Sequence, residues 1–453
     1  MLFSSLSFLL YFFPFVILIH YFLPGKLQNT FLLLASLFFY AWGDARQVPL
    51  FAILLMMNWG VGRLLVRAEK PAARRSLLAG GLICDFGALL FYKYTGFFMG
   101  MLGLYPAFLA GMTLPLGISF FIFQAAGYLI DVYRRQTEPE KNPVNFGAFL
   151  FLFPQLIAGP IVRYSDMTKA LHEKRRPDAK KLESGMVLFV AGLAAKVLLA
   201  NPLGEAYDTL HAVSGDMLCA WLSLAAYTLQ IYFDFMGYSV MAVGLGRMLG
   251  FHFPRNFNHP YAASSVTDFW RRWHITLSGW FRDYVYIPLG GSRRGKGRTV
   301  LNLLAVWCLT GLWHGADWNF LLWGLWYFLL LSAEKFIFSG KFMLPGWIRR
   351  LLTILGVMLG WALFVSEGLS GFVAYVSSLF SFSVTGQTLF WLQEFVGIML
   401  LGVVFCIPGV VERLKKLCRQ YTLLRYIAVL GILLLCLASL AKSSYNPFLY
   451  FRF

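Results

Sequence analysis

The chain alternates between long apolar runs and short polar connections over all of its 453 residues. A hydrocarbon core of about 30 Å is crossed by roughly 20 apolar residues in a helix, so each run is a candidate membrane segment. Because several runs are shorter than this, the pattern predicts about eleven transmembrane helices with further re-entrant and interfacial helices. The runs are Phe3–Leu23, Thr30–Trp42, Val48–Val66, Leu77–Phe98, Leu114–Ile130, Gly185–Ala200, Met217–Val243, Val300–Trp313, Phe320–Leu331, Leu351–Phe364, Gly371–Phe382, Phe390–Ile407 and Leu424–Leu440.

The composition supports this pattern. Hydrophobic residues make up 59% of the chain and charged residues 13%, whereas a soluble domain carries roughly 25% charged residues. The sequence therefore predicts an all-α polytopic membrane protein whose surroundings are a lipid bilayer. Its first run lacks a basic leading region and a small-residue cleavage site, so we expect a retained span.

The net charge of +18 raises the possibility of a nucleic-acid partner, but the positive residues gather in short connections. Cytoplasmic ends of membrane helices show this bias, so we favour topology and expect no nucleic acid. Asn201–Asp216 has three acidic residues and neither Lys nor Arg, which indicates an external segment. If the chain alternates between the two faces of the membrane in agreement with these basic and acidic connections, both chain ends lie on the external face. The basic clusters are Arg63–Arg75, Arg134–Arg135, Lys174–Lys181, Arg271–Arg298 and Arg413–Arg419.

Several classes of protein and site are disfavoured by what the sequence lacks. The six cysteines are scattered singly, so we expect neither disulfides nor a metal site. Neither a phosphate-binding Walker loop nor a dinucleotide-binding glycine motif is present, which argues against ATP hydrolysis by this chain. No internal repeat or long linker divides the sequence, so we predict a single membrane-embedded domain over 1–453.

One histidine lies where an ionisable group is costly. His314 stands in the segment Gly311–Asn319, between two apolar stretches. Such groups usually face a cavity, a partner or a substrate path. Since histidine takes up and returns a proton near neutral pH, His314 is the first candidate for a catalytic residue.

A second histidine lies in an amphipathic stretch. At helical spacing, Val266–Ile287 places Trp270 and Phe281 on an apolar face with polar residues opposite, which predicts an interfacial helix. His274 falls at the edge of the apolar face. It is either a structural histidine or, paired with His314, part of a reaction site.

The connection Pro288–Arg298 is rich in glycine and basic residues. Glycine lets a backbone approach a phosphate closely, and guanidinium groups bind phosphate through two hydrogen bonds. The loop is therefore a candidate site for a phosphorylated donor such as coenzyme A. Ordinary cytoplasmic positive charge explains it equally well.

Taken in order, six segments resemble a known family. They are Leu114–Arg134, Phe153–Arg163, Leu229–Tyr238, Phe269–Ser278, Arg282–Gly291 and Gly311–Asn319. Together they are similar to the bacterial membrane-bound O-acyltransferases, and most of all to the alginate O-acetyltransferase branch, with the teichoic-acid D-alanyl transfer protein as a more distant cousin.

The resemblance implies a helical funnel that opens to the cytosol and a thin wall that carries the catalytic histidine, here His314. The second family histidine corresponds to His274. Acyl transfer from a thioester needs a base that accepts the hydroxyl proton, which we assign to His314. His274 could orient the substrate or stabilise the oxyanion, and Asp317 could hold the His314 ring or simply cap a turn. The candidate substrate-binding residues are Arg271, Arg272, Arg282, Arg293, Arg294, Asp317 and Asn319.

The chain ends in an aromatic tail, 445–453. Aromatic residues often anchor a chain at the membrane interface. Alternatively, the tail folds back and Tyr450 accepts the acyl group for presentation outside, since a phenyl ester is an activated acyl carrier. This would connect a cytosolic donor with an external acceptor.

Two classes of function remain open. The first is an acyltransferase in the bacterial cytoplasmic membrane that moves acetyl from acetyl-coenzyme A, or from an acyl-carrier thioester, for O-acetylation of an exopolysaccharide or envelope polymer. It needs no permanently bound cofactor, and the resemblance implies a separate extracytoplasmic acyltransferase partner. Within this class, the alternative is transfer of a D-alanyl or another acyl group to a wall polymer. The second is a non-catalytic export component, which paired broken spans would have favoured.

Overall fold

In the computed structural model, the described residues are 1–104, 106, 109, 113–213, 215–338, 344–442 and 449. Every regular element in these residues is helical. This confirms the predicted all-α class and agrees with a polytopic membrane protein.

The α-helices range from single turns to more than 30 residues. They are α1 (Phe13–Phe22), α2 (Gly25–Asp44), α3 (Val48–Arg67), α4 (Pro71–Met101), α5 (Ile118–Tyr133), α6 (Pro143–Phe151), α7 (Phe153–Leu156), α8 (Tyr164–His172), α9 (Ala179–Ala194), α10 (Asn201–His211), α11 (Met217–Met248), α12 (Val266–Arg272), α13 (Ile275–Phe281), α14 (Lys296–His314), α15 (Trp318–Phe336), α16 (Gly346–Val365), α17 (Gly368–Ser378), α18 (Gln387–Cys406), α19 (Pro408–Gln420) and α20 (Thr422–Lys442). Wider π-helical turns occupy Phe8–Phe12, Ala195–Ala200 and Arg282–Tyr286, and 3-10 turns occupy Ala45–Gln47 and Pro260–Ala262.

Among the described residues, six continuous helical stretches are long and apolar enough to cross a bilayer. Two shorter apolar helices, Phe8–Phe22 and Ile118–Tyr133, accompany them. The membrane assignment is thereby supported, while the count of about eleven spans and the sidedness of the chain ends stay predictions. The six stretches are Gly25–Arg67, Pro71–Met101, Ala179–His211, Gly346–Val365, Gln387–Cys406 and Thr422–Lys442.

The chain forms two compact units. The first contains Met1–Phe189 and Ser239–Arg255, and the second contains Val190–Tyr238 and Asn256–Phe453. Packing in the first unit includes a cluster of phenylalanines, with ring centroids of Phe3 and Phe8 5.1 Å apart and those of Phe12 and Phe153 5.3 Å apart. Both histidines singled out by the sequence belong to the second unit.

Helices α14 and α15 form an antiparallel pair in the second unit, and glycines allow their close approach. A β-carbon at Gly311 would collide with the carbonyl of Phe320, and one at Gly324 with the carbonyl of Trp307. Small residues serve this purpose in membrane helix pairs because they let backbones touch. The pair therefore holds the end of α14, and with it His314, against the start of α15.

An aromatic core packs beside this pair. The ring of Trp270 lies edge-on to that of Trp307 at 4.8 Å and to that of Tyr327 at 4.8 Å. Trp323 meets Tyr327 at 5.2 Å. Edge-to-face contacts add to the stabilisation from burying these large rings, so this core stabilises the second unit around α14 and α15.

The prediction of one amphipathic helix over Val266–Ile287 is wrong. The segment consists of α12, α13 and a π-helical turn, and the break falls at Trp273 and His274. The amide of Ile275 donates to the carbonyl of Asn256, and that of Asn258 to the carbonyl of Arg272. This backbone pairing replaces the hydrogen bonds that a continuous helix would make at the break. The apolar face packs into the hydrophobic core of the second unit.

Candidate active site

His314 is the last residue of α14. Gly315 follows in an extended conformation, and the Asp317 side chain accepts from the Trp318 amide at the start of α15. The helix is thus not continuous through Asp317, which acts as a cap. The His314 ring is half-buried and lies 4.9 Å from the Trp323 ring and 5.3 Å from the Phe364 ring, centroid to centroid. Packed aromatic faces therefore fix an imidazole that solvent still reaches.

His274 immediately precedes α13 and has a left-handed backbone conformation, with φ of 44°. This conformation is strained for a residue other than glycine and, where it persists, marks candidate functional positions. The side chain is 1% exposed, and its ring stands edge-on to Phe235 at 4.7 Å. The break between α12 and α13 therefore directs this imidazole into the interior.

Asn256 determines the tautomer of His274. Its Oδ1 accepts from the Thr276 amide at 3.1 Å and from the Thr276 hydroxyl at 2.9 Å, which identifies this atom as the amide oxygen. The 3.1 Å contact from His274 Nδ1 to the same oxygen is then an Nδ1–H donation, and Nε2 carries the lone pair. Burial lowers the pKa of His274 to about 3, so the ring is neutral.

Both imidazoles line one small cavity in the second unit, here called the histidine cavity. Its volume is about 40 Å³, enough for on the order of three water molecules. Its walls are mostly aromatic and apolar, and low polarity around a site strengthens electrostatic interactions within it. The lining residues are Ile231, Asp234, Phe235, Trp273, His274, His314, Trp323, Trp361, Phe364 and Leu449.

A buried ion pair adjoins this cavity. Lys196 Nζ lies 2.8 Å from Asp234 Oδ1, with side-chain exposures of 4% and 3%. Asp234 Oδ2 accepts from the Leu449 amide at 2.8 Å. Neither group is among the candidate site residues of the sequence analysis, although a lysine and an aspartate in two separate apolar runs are themselves a signal for a buried pair.

The other predicted site residues do not line the histidine cavity. Arg271, Arg293 and Arg294 are exposed; Arg272 pairs with Asp268 at 2.9 Å and Arg282 with Asp283 at 2.7 Å. Buried Asn319 donates to the Ser366 carbonyl at 2.8 Å. Tyr450 lies outside the described residues.

Comparison with known proteins identifies the family to which this chain belongs. The family model for MBOAT, membrane-bound O-acyltransferase, matches residues 140–357. A probable alginate O-acetylase of Azotobacter vinelandii is 40% identical over 397 residues, which cover 84% of this chain and 78% of that protein. The chain belongs to the membrane-bound O-acyltransferase family.

Other relatives of this chain have different named activities. The peptidoglycan O-acetyltransferase of Helicobacter pylori is 34% identical over 82% of this chain and 78% of its own. The teichoic acid D-alanyltransferase of Bacillus subtilis is 29% identical over 49% of this chain and 59% of its own. The two histidines and the histidine cavity are therefore parts of a membrane acyltransferase.

Proposed function

We propose that this acyltransferase moves an acetyl group from acetyl-coenzyme A across the bacterial cytoplasmic membrane for O-acetylation of an exopolysaccharide. The observation that supports this proposal most strongly is that one half-buried and one buried imidazole line the same small cavity. The named acetyltransferases among the relatives support acetyl as the group.

His314 acts as the general base in this proposal. Its imidazole accepts the proton of a hydroxyl whose oxygen attacks the thioester carbonyl carbon. The carbon–sulfur bond then breaks, and the thiolate leaves with the proton returned by the imidazolium. An oxygen ester and a free thiol result, and the histidine is regenerated.

His274 helps to orient the substrate in this proposal by accepting a hydrogen bond from a donor other than the reacting hydroxyl, whose one proton goes to His314. Because its N–H is donated to Asn256, the ring offers the cavity a lone pair at Nε2, and it therefore serves as a hydrogen-bond acceptor. The oxyanion role considered from the sequence needs an N–H donor instead, so we do not propose it. Burial keeps this acceptor neutral across the physiological pH range.

The acceptor hydroxyl in our proposal belongs to Tyr450. Leu449, the residue before it, lines the histidine cavity and its amide is bonded to Asp234. These contacts support a tail that returns to the reaction site. The acetylated tyrosine would then serve an extracytoplasmic transferase partner that modifies the polymer.

The donor is held on the cytoplasmic side by the basic loop in this proposal. Asn302 Nδ2 donates to the carbonyl of Gly291 at 2.8 Å, and Arg298 Nε to that of Leu289 at 3.2 Å. The loop backbone is thus fixed, while the Arg293 and Arg294 side chains are exposed and accessible to the phosphates of coenzyme A or to an acyl carrier protein.

Incubation of the purified full chain with isotopically labelled acetyl-coenzyme A tests the function. The proposal expects thiol release together with a labelled peptide that contains Tyr450, located by mass spectrometry. Thiol release without a protein label would contradict the tail relay alone. Neither thiol release nor label, with a partner transferase and polymer also supplied, would contradict the acetyltransferase.

A further inference from the structure

A large basic cavity lies in the first unit, apart from any residue assigned above. Its volume is about 660 Å³. One wall is formed by the end of α3 and the start of α4, and the other by the connection that follows α5. Its charged lining residues are Arg63, Arg67, Arg74, Arg135, Lys141 and Glu138.

The charge on this cavity is unbalanced. Five cationic side chains and one carboxylate face it, which gives a formal excess of four positive charges. In the part of the chain that the structure describes, the ion pairs are formed by residues that do not line this cavity. Like charges around one concavity repel one another across a Debye length of about 8 Å, and a bound anion relieves this repulsion.

Two of the arginines are held in defined positions. Arg74 Nη2 donates to the Tyr133 carbonyl at 2.7 Å, and its guanidinium carbon lies 5.2 Å from the Tyr133 ring centroid. Arg135 adopts φ of 60° at the end of α5. Glycine is the usual residue there, so an arginine keeps its side chain at this wall despite backbone strain.

The surroundings of this cavity indicate which kind of anion it would bind. The positive-inside rule places the ends of α3 and α5 at the cytoplasmic face, and basic pockets between helices on that face suit phosphate-bearing head groups. Guanidinium groups bind phosphate oxygens through paired hydrogen bonds. Gln136 and Thr137, which also line the cavity, offer polar groups to hydroxyls beside the phosphate.

We propose that this cavity is a binding site for a phosphate-bearing ligand at the cytoplasmic face, supplied either by an anionic phospholipid or by a soluble nucleotide. The proposal is independent of the acetyl transfer assigned to the histidine cavity. It concerns the first unit alone.

The test uses Arg67→Gln/Lys141→Gln, which removes one exposed cation from each wall. The control is Arg349→Gln/Arg350→Gln, a double substitution of equal charge at exposed residues of α16. Full-length proteins are reconstituted in phosphatidylcholine nanodiscs. One arm measures phosphatidylglycerol retention by native mass spectrometry, and the other titrates adenosine 3′,5′-bisphosphate.

We expect the cavity variant to bind at least one probe about tenfold or more weakly, while the control matches the parent protein. Loss confined to phosphatidylglycerol identifies a lipid source, loss confined to the bisphosphate identifies a nucleotide source, and loss of both supports a site for either. Unchanged binding of both probes overturns the site. Equal loss in the control overturns it too, since general positive charge would then suffice.

Discussion

The two imidazoles of the histidine cavity differ in their surroundings, in agreement with the different roles that we propose for them. Asn256 holds the His274 proton on Nδ1 and burial keeps that ring neutral. His314 is half-buried at a helix end, where a substrate group can approach it. A base that must exchange protons needs such access, whereas an orienting acceptor does not.

Burial of neutral His274 makes stability depend on pH. Below about pH 6.5 the unfolded chain binds a proton at this imidazole, but the folded protein does so only near pH 3. The contribution of His274 to the free energy of unfolding is therefore fully present above about pH 6.5. It decreases by about 1.4 kcal/mol per pH unit as the pH falls from there toward about 3. Denaturant titrations at pH 7 and pH 5 should show about 2 kcal/mol more loss in the parent protein than in His274→Gln. Equal losses would contradict neutral burial.

The Lys196–Asp234 pair offers a test of the tail contact. Asp234→Ala leaves a buried ammonium and should lower the free energy of unfolding by about 3–5 kcal/mol. Lys196→Met/Asp234→Leu removes both charges and should recover most of that loss, as apolar replacements of buried pairs do. Acetyl transfer should stay impaired in the double variant, because the acceptor of the Leu449 amide is gone. Full transfer activity there would show that the contact is dispensable.

At the scale of elements, the α14–α15 pair sets the position of His314. Gly324→Ala should destabilise the fold by about 1–3 kcal/mol, because the added methyl group overlaps the Trp307 carbonyl. Gly297→Ala in α14 is the control, since a β-carbon there meets nothing within 4 Å. Thermal unfolding of both variants measures the difference. Similar melting temperatures would mean that the two helices have room to separate.

The sequence could predict elements better than the breaks within them. Continuous apolar runs correctly indicated helix over Val300–Trp313 and Phe320–Leu331, where α14 and α15 lie. The amphipathic periodicity of Val266–Ile287 joined α12 and α13 into one helix, because hydrophobic spacing contains no information about the distant backbone of Asn256. A tertiary hydrogen bond thus overrode a local pattern.

The candidate site was predictable only in part for the same reason. A histidine in an apolar surrounding led to His314, and the amphipathic pattern led to His274. The contributions of Asn256, Lys196 and Leu449 come from contacts between segments far apart in the chain. By contrast, the exposed arginines were selected by charge alone, which does not reveal which cavity a side chain lines.

For the whole molecule, composition and apolar runs were sufficient to predict a helical membrane protein. They do not give the number of spans, since packing decides whether a short apolar helix crosses, tilts or re-enters. The transfer that we propose, from a cytosolic donor to an external polymer, would likewise involve the whole chain. It requires a route between the two faces, for which we propose the tail.

Tyr450→Phe tests that route with a minimal change. The substitution retains the aromatic ring and removes the hydroxyl, so the protein should remain folded while polymer O-acetylation in cells is lost. Tyr421→Phe, at an exposed tyrosine between α19 and α20, is the matched control and should acetylate normally. Quantifying ester-linked acetate on the isolated polymer gives the readout. Normal acetylation by the Tyr450 variant would exclude the relay.

The most direct test of the account is the rate of thiol release from acetyl-coenzyme A by the reconstituted protein carrying His314→Ala. His252→Ala, at an exposed histidine, serves as the control. With the melting temperature unchanged, we expect His314→Ala to lower the rate by about 10²–10⁴-fold and the control to retain it. A rate for His314→Ala within about twofold of the parent protein would show that His314 is not the catalytic base.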